Sequence, residues 1–306
     1  MHVSARVAVV IVTYNSADIL GDCLRSVRTS TVDLAAVIVA DNASKDDSVA
    51  IAEATARDQG LPLHVVQLGR NAGYGAAVNA GIAALDDRKY DAVFVMNPDC
   101  RLRPDALAHL TDALREPGRG IAVPKLLNSD GSLQPSLRRP PTAARAWVEA
   151  ILGGGRAGRL GTLGELLTDP RDYDRPGPHA WATGAAMLIS ASALDEIGPW
   201  EESFLLYSEE TDYALRAGDH GWTLWYEPAA EVEHIGGESD TNPTLYALMA
   251  VNKVRLFRRR HARPAALLYH SAVLAGEAAR ALGGRATAKA AVRALLHPSR
   301  PSRLAD

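Results

Sequence analysis

Residues 6–42 read RVAVVIVTYNSADILGDCLRSVRTSTVDLAAVIVADN, and their pattern decides the fold. An apolar run of strand length, VAVVIV (7–12), gives way to the polar TYNS (13–16). A segment near 16–29 follows, with Ile19, Leu24 and Val27 at helical spacing, and then a second apolar run, AAVIVA (35–40). Short continuous apolar runs bounded by turn residues mark strands buried on both faces, and the helix between two of them is the crossover of a parallel pair. The unit repeats. LHVVQ (63–67) and DAVFVM (91–96) read as further strands, and 44–58 and 74–85 as further helical segments. Ser44, followed by Asp46 and Asp47, reads as an N-cap with acids in the first turn. Right-handed crossovers in this order predict an α/β chain with a doubly wound, mostly parallel sheet and flanking helices.

Beyond residue 124 the regularity lapses. NSDG (128–131), RRPP (138–141), GGGRAG (153–158) and PGP (176–178) predict a long loop region over 125–180, and loops of that length inside a domain tend to be functional. Order resumes with a strand at AAMLI (185–189), a helix over about 209–218 and a strand at WTLWY (222–226). After Pro243, Leu245, Leu248, Met249 and Leu256 share one helical face, so 244–306 reads as a helical extension with a frayed HPSRPSRLAD end. The main body is then 1–243, divided near 124.

The chain has 306 residues, 47% hydrophobic and 23% charged, enough to build a core and to exclude a wholly disordered chain. Two cysteines, Cys23 and Cys100, make no disulfide framework and fit a reducing cytosol. The first apolar run is too short for a signal-peptide core, and no run reaches the roughly 18 residues of a spanning helix. A cytoplasmic protein, soluble or peripheral, is expected. Charge is unevenly spread: 251–306 carries 12 Lys/Arg against Glu277 and Asp306, while the rest of the chain is acidic. That distribution does not suit a nucleic-acid binder. It suits a basic tail that meets an anionic membrane surface, with a solvated face packed on the body as the plainer alternative.

In an open parallel sheet, ligands bind beyond the carboxyl ends of the strands. Here those ends are Thr13-Tyr14-Asn15-Ser16, Asp41-Asn42-Ala43-Ser44, GRNAGYG (69–75) and Asn97-Pro98-Asp99. Each alone is ordinary turn chemistry; together they outline a crevice. No GxGxxG follows the first strand, and neither a P-loop nor a GxSxG elbow occurs. Asp41 is placed to accept hydrogen bonds from a ribose or a base, and Asp99 to bind a hard divalent cation bridging to phosphates. Glu209, Glu210 and Asp212 open a helix, and His234 stands in EHIGGES. As a set they supply a base and a metal site.

TYNSADILGDCLRSV, IVADNASKDDS, GRNAGYGAAVNAG and MNPD resemble the nucleotide-binding half of family-2 inverting glycosyltransferases. WATGAAMLI, IGPWEESFLLYSEETDYALRAGDHGW and HIGGES resemble that family's acceptor half, and the finer likeness is to bacterial rhamnosyltransferases of cell-wall or surface polysaccharide. The resemblance implies a GT-A fold, with a catalytic domain over 1–243 whose nucleotide-binding and acceptor halves meet near 124. It implies a dTDP- or UDP-sugar donor, a Mg²⁺ or Mn²⁺ ion, and a saccharide acceptor such as one carried on a polyprenyl diphosphate. It carries Thr13 and Asn15 to the nucleoside pocket, Asp41 to the pyrimidine, and Asn71 and Gly73 to the wall by base and ribose. Asn97 and Asp99 stand where the family has Asp-x-Asp. Asp99 is therefore expected as the main metal ligand and His234 as a second. Glu210 is the expected base, with Glu209 as the alternative, and Trp181, Thr183 and Gly184 are the expected acceptor platform. Two competing readings are a sugar-phosphate nucleotidyltransferase, which lacks its Gly-rich basic loop here, and a binding module without activity.

Overall fold

The computed structural model describes residues 5–85, 90–236 and 241–297. Its first half alternates as the sequence predicts: β1 (Arg6–Thr13), α1 (Ala17–Arg28), β2 (Asp33–Asp41), α2 (Ser48–Gln59), β3 (Leu63–Gln67), α3 (Tyr74–Ala83) and β4 (Ala92–Met96). Then come β5 (Cys100–Leu102), α4 (Ala106–Ala113), β6 (Arg119–Leu127), β7 (Leu137–Arg138), α5 (Ala143–Leu152) and α6 (Gly154–Arg159). The second half adds β8 (Gly177–His179), β9 (Trp181–Ala182), β10 (Ala186–Ser190), α7 (Ala191–Ile197), α8 (Glu209–Asp219) and β11 (Thr223–His234). Helices α9 (Pro243–Arg260), α10 (Arg263–Leu282) and α11 (Ala286–Leu296) close the described chain.

Among the described residues the main sheet has nine strands, in the order β3-β2-β1-β4-β10-β6-β11-β5 with β8 also on β11. β1, β2, β3 and β4 pair in parallel, and β6 pairs in parallel with β11. β10 runs antiparallel between β4 and β6. The pleat divides the core. Val7, Val9 and Ile11 face α1, α2 and α4, while Ala8, Val10 and Val12 face α3, α7 and α8. Both faces of β1 are therefore covered, which is why its sequence is continuously apolar rather than alternating.

Two details differ from the sequence expectation. The α2 N-cap is Asp47, three residues beyond Ser44, because the Ser44 hydroxyl is bound to Asp41 instead. Residues 125–180 are also less irregular than expected. The Thr142 hydroxyl accepts from the Arg145 amide at 3.2 Å and starts α5; the prolines before it precede a helix rather than break one. Gly153, at φ +81°, turns the chain from α5 directly into α6. Residues 298–306, most of the end expected to fray, lie outside the described residues.

A third apolar cluster joins α9, α10 and α11 to α5 through Tyr246, Val254, Phe257, Tyr269, Leu295 and Ala146. Most of the basic group on α9 is committed to the body. Lys253 lies 3.4 Å from both Glu149 and Glu165. Arg259 pairs with Glu201, and Arg260 with Asp219. Arg255 donates to the Ser203 carbonyl.

Candidate functional site

The ends of β1 and β2 are stitched together by short polar side chains. Thr13 and Asp41 are register partners. Asn15, at φ +50°, accepts from the Lys45 amide at 2.8 Å, and its own amide donates to Ser44 Oγ at 2.9 Å. Asp41 is buried and accepts from the Ser44 amide and hydroxyl. It lines a cavity of about 470 Å³ with Ser44, Asp46, Asp47, Glu53 and Gln67. Carboxylates in such number repel phosphate and suit N–H donors of a base. Thr13 Oγ1 is buried and has no hydrogen-bond partner among the described residues.

Asn71 accepts from the Gly73 amide at 3.3 Å. Asn42, which sequence reasoning did not single out, accepts from the Ala72 amide and donates to the Gly73 carbonyl. Gly73 is then pressed against Leu205. At φ +93°, a Cβ built on it would lie 2.3 Å from the Leu205 carbonyl oxygen, and the next amide, Tyr74, donates to that same oxygen at 2.6 Å. Only glycine fits there. The contact ties the start of α3 to the loop that leads into α8.

Asp99 and His234 converge because β5, immediately after Asn97-Pro98-Asp99, pairs antiparallel with the end of β11, setting His234 opposite Cys100. His234 Nε2 lies 3.5 Å from Asp99 Oδ2 and 3.4 Å from the Asn97 amide nitrogen. Gln134 Oε1 is 2.6 Å from His234 Nδ1, and Gln134 Nε2 donates to the His234 carbonyl. An amide oxygen can only accept, so Nδ1 carries the proton and the Nε2 lone pair points toward Asp99. Burial lowers the His234 pKa against the pull of Asp99, which keeps the ring neutral near pH 7. Asp99 Oδ2 accepts from the Gly236 amide at 2.8 Å, while Oδ1 is buried without a partner among the described residues. An orphaned carboxylate oxygen beside a neutral imidazole lone pair fits a divalent cation that takes oxygen and nitrogen ligands. Cys100 is close to both, but burial holds its thiol well above the usual range and it donates to the Ala185 carbonyl. It stays protonated and is a poor ligand.

Glu209 and Glu210 open α8 behind a strained approach, with Leu205, Tyr207 and Ser208 all at positive φ. Non-glycine residues cost of order 1–3 kcal/mol each in such regions and persist only where their surroundings hold them. Asn252 of α9 does the holding: its side-chain amide donates to the carbonyls of Phe204, Leu206 and Tyr207 at 2.7, 2.9 and 3.3 Å. The two carboxyls differ. Burial, and then the charge of Glu210, hold Glu209 well above the usual carboxylate range. Burial also raises Glu210, but the Arg138 guanidinium opposes it. The pair shares one negative charge most readily with Glu210 ionised.

Glu210 faces a cavity of about 620 Å³ with Arg138, Trp181, Thr183, Tyr207 and Lys253. Trp181 and Thr183, two of the three residues expected as an acceptor platform, line this cavity, and Trp181 also belongs to the core and donates to the Arg139 carbonyl. Gly184 is not in the lining; a Cβ there would lie 2.8 Å from Glu210 Cβ, so it makes room beneath that glutamate. Its carbonyl accepts from the Tyr74 hydroxyl. Besides Asn42, sequence reasoning missed Gln134, Arg138 and Asn252. The signal for Asn252 was an amide on a helix face otherwise lined by apolar residues; for the other two there was none within a segment read as loop.

The sequence model of glycosyl transferase family 2 matches residues 8–197. An N-acetylglucosaminyl-diphospho-decaprenol L-rhamnosyltransferase of Mycobacterium tuberculosis is 33% identical over 236 residues, covering 74% of this chain and 75% of that protein. A mannosyltransferase of Pyrobaculum calidifontis, solved with GDP-Man and Mn²⁺, superposes with a TM-score of 0.60 at 17% identity, over 98% of this chain and 83% of that one. GalNAc-T7, solved with UDP, GalNAc and Mn²⁺, gives 0.62 at 17% identity, over 84% of this chain and 48% of that one. At such identities the two structures share the fold.

Proposed function

The chain belongs to glycosyl transferase family 2 and is a glycosyltransferase of the GT-A fold, and from this we propose that it moves L-rhamnose from a dTDP-sugar to N-acetylglucosamine carried on a polyprenyl diphosphate. The sugar and the acceptor rest on the likeness to the mycobacterial rhamnosyltransferase. The geometric observation that supports the reading is the Gly73–Leu205 contact, which ties the segment before α3 to the loop leading into the Glu209-Glu210 helix.

In this reading Asp41, Thr13, Asn15, Asn71 and Gly73 form the nucleoside side of that crevice. Asp99 and His234 would hold a divalent cation, Mg²⁺ or Mn²⁺, and Asn97, an amide where the family has a second carboxylate, leaves those two as the ligands. When bound, that ion supplies charge neutralisation for the departing diphosphate. A sugar hydroxyl is a weak nucleophile, so Glu210 takes its proton as attack begins, a role worth about 10²–10⁴ in rate. Glu209 stays protonated and keeps the negative charge on its neighbour. One base and one displacement invert the anomeric centre. No covalent nucleophile is required.

A polyprenyl-linked acceptor puts the reaction at a membrane surface. Among the described residues no helix is long and apolar enough to cross a bilayer. Exposed Trp147, Ile151 and Leu152 on α5, with Leu160 and Leu163 beyond α6, form an apolar fringe, and exposed Arg156 and Arg159 lie within it. Apolar side chains interleaved with arginine suit an anionic leaflet. With the α9 cations largely engaged by the body, this fringe is the better docking face. The test is transfer to N-acetylglucosaminyl-diphosphate lipid held in vesicles, with dTDP-L-rhamnose, UDP-galactose and GDP-mannose compared. Product from dTDP-L-rhamnose, formed faster on anionic than on neutral vesicles, is expected. No product from any donor would overturn the function, and equal rates on both vesicles would overturn the docking.

A further inference from the structure

We propose that Arg138 recognises the anionic linkage of the acceptor, a diphosphate between sugar and lipid, and so selects lipid-linked saccharides over neutral glycosides. The proposal rests on the reading above that the acceptor is lipid-linked. β7 and β9 form a two-stranded sheet in which Arg138 is the register partner of Trp181. The guanidinium carbon lies 4.9 Å from the Trp181 ring centroid. Such stacking fixes the plane of the fork before any ligand arrives. Arg138 Nε is buried and has no hydrogen-bond partner among the described residues. A buried, unpartnered guanidinium N–H is costly, and a phosphate oxygen would satisfy it.

Of the other cations that line the cavity, Lys253 and Arg280 are already neutralised, and Arg285 lies over the Tyr246 ring with Nε donating to Thr287. Lys253 sits between Glu149 and Glu165 at 3.4 Å, and Arg280 lies 2.6 Å from Glu277. Arg138 has no carboxylate within ion-pair distance among the described residues, although it lowers the pKa of Glu210 through space. The donor's diphosphate is not the natural occupant, because Asp99 and His234 do not line this cavity. From Arg138 the wall continues over Tyr246, Met249, Tyr269 and Val273 of α9 and α10. The occupant that matches is amphiphilic: a sugar hydroxyl at Glu210, an anion at Arg138, and an apolar chain along the helices. The C-terminal extension thereby becomes a wall of the acceptor site.

The test is calorimetric binding of three probes to the full chain: N-acetylglucosaminyl-diphosphate-dodecanol, dodecyl N-acetylglucosaminide and dTDP. The wild type should prefer the diphosphate lipid over the neutral glycoside by roughly tenfold or more, as one bidentate charge-assisted contact implies. Arg138→Gln should lose that preference while retaining its affinity for dTDP. Arg138→Lys, which keeps the charge without the fork, should recover part of it and decides the matter if the glutamine variant fails to fold. A wild type without preference, an Arg138→Gln that keeps it, an unchanged Arg138→Lys, or a parallel loss of dTDP affinity would each overturn the proposal. Binding is read without turnover, so a failure to transfer rhamnose leaves this result standing on its own.

Discussion

Two adjacent glutamates can serve one active site only if their environments separate their roles. Glu209 is 3% exposed, with Oε2 unpartnered among the described residues, whereas Glu210 faces the cavity with Arg138. Glu210→Gln is therefore expected to lower kcat by about 10²–10⁴ with little change in donor affinity, and Glu209→Gln to remain active. The pH dependence follows in sign. The Glu210 pKa is raised, so kcat should fall as pH drops through a value above the usual carboxylate range. Glu209 is already protonated, so Glu209→Gln removes no charge and should leave that acid limb where it is. A dead Glu209→Gln with an active Glu210→Gln would reverse the assignment; stopped assays across pH decide it. At this scale much was legible. Asp41, Asp99, Glu210 and His234 stand out because strand ends and helix starts announce themselves in sequence. Gln134 and Arg138 do not, since their meaning depends on pairings about 100 and 43 residues away along the chain.

The elements that carry these side chains are held by long-range contacts rather than by their own propensity. The approach to α8 is the clearest case: three residues at positive φ, with three carbonyls satisfied by Asn252 of α9, itself 2% exposed. Asn252→Ala would take this donor from the Leu206 and Tyr207 carbonyls, while the Phe204 carbonyl keeps the Leu206 amide, at about 1–3 kcal/mol for a buried polar group left unpaired. We expect a lower melting temperature and a reduced kcat, with nucleotide affinity nearly unchanged, because the loop positions the base and not the nucleoside. Thermal unfolding and steady-state kinetics read this; wild-type values for both would show that the loop holds itself. The apolar face of α9 was legible from Leu248 and Leu256, both buried. Its amide was hidden inside that pattern, and so was the helix's role at the site.

Across the whole molecule, legibility follows contact range. The parallel strands β1, β2 and β4 are read from their largely buried apolar runs, and β3, half-exposed at the sheet edge, from its place between two helical segments. The second half of the chain depends on two-residue strands, β7 and β9, and on an antiparallel return of β11 onto the three-residue β5; segments so short carry no period to read. That return is what sets His234 beside Asp99, and the Gly73–Leu205 contact ties the segment before α3 to the loop that leads into α8. On the proposed assignment Glu210 is the one base of this site, and transfer is a single displacement aided by a divalent ion. The most direct measurement is the anomeric configuration of the new glycosidic bond, followed by NMR during transfer from a nucleotide sugar, with Mn²⁺ and with chelator. An inverted centre, formed with the ion and lost with the chelator, is predicted. A retained configuration, or equal transfer in the presence of chelator, would contradict it.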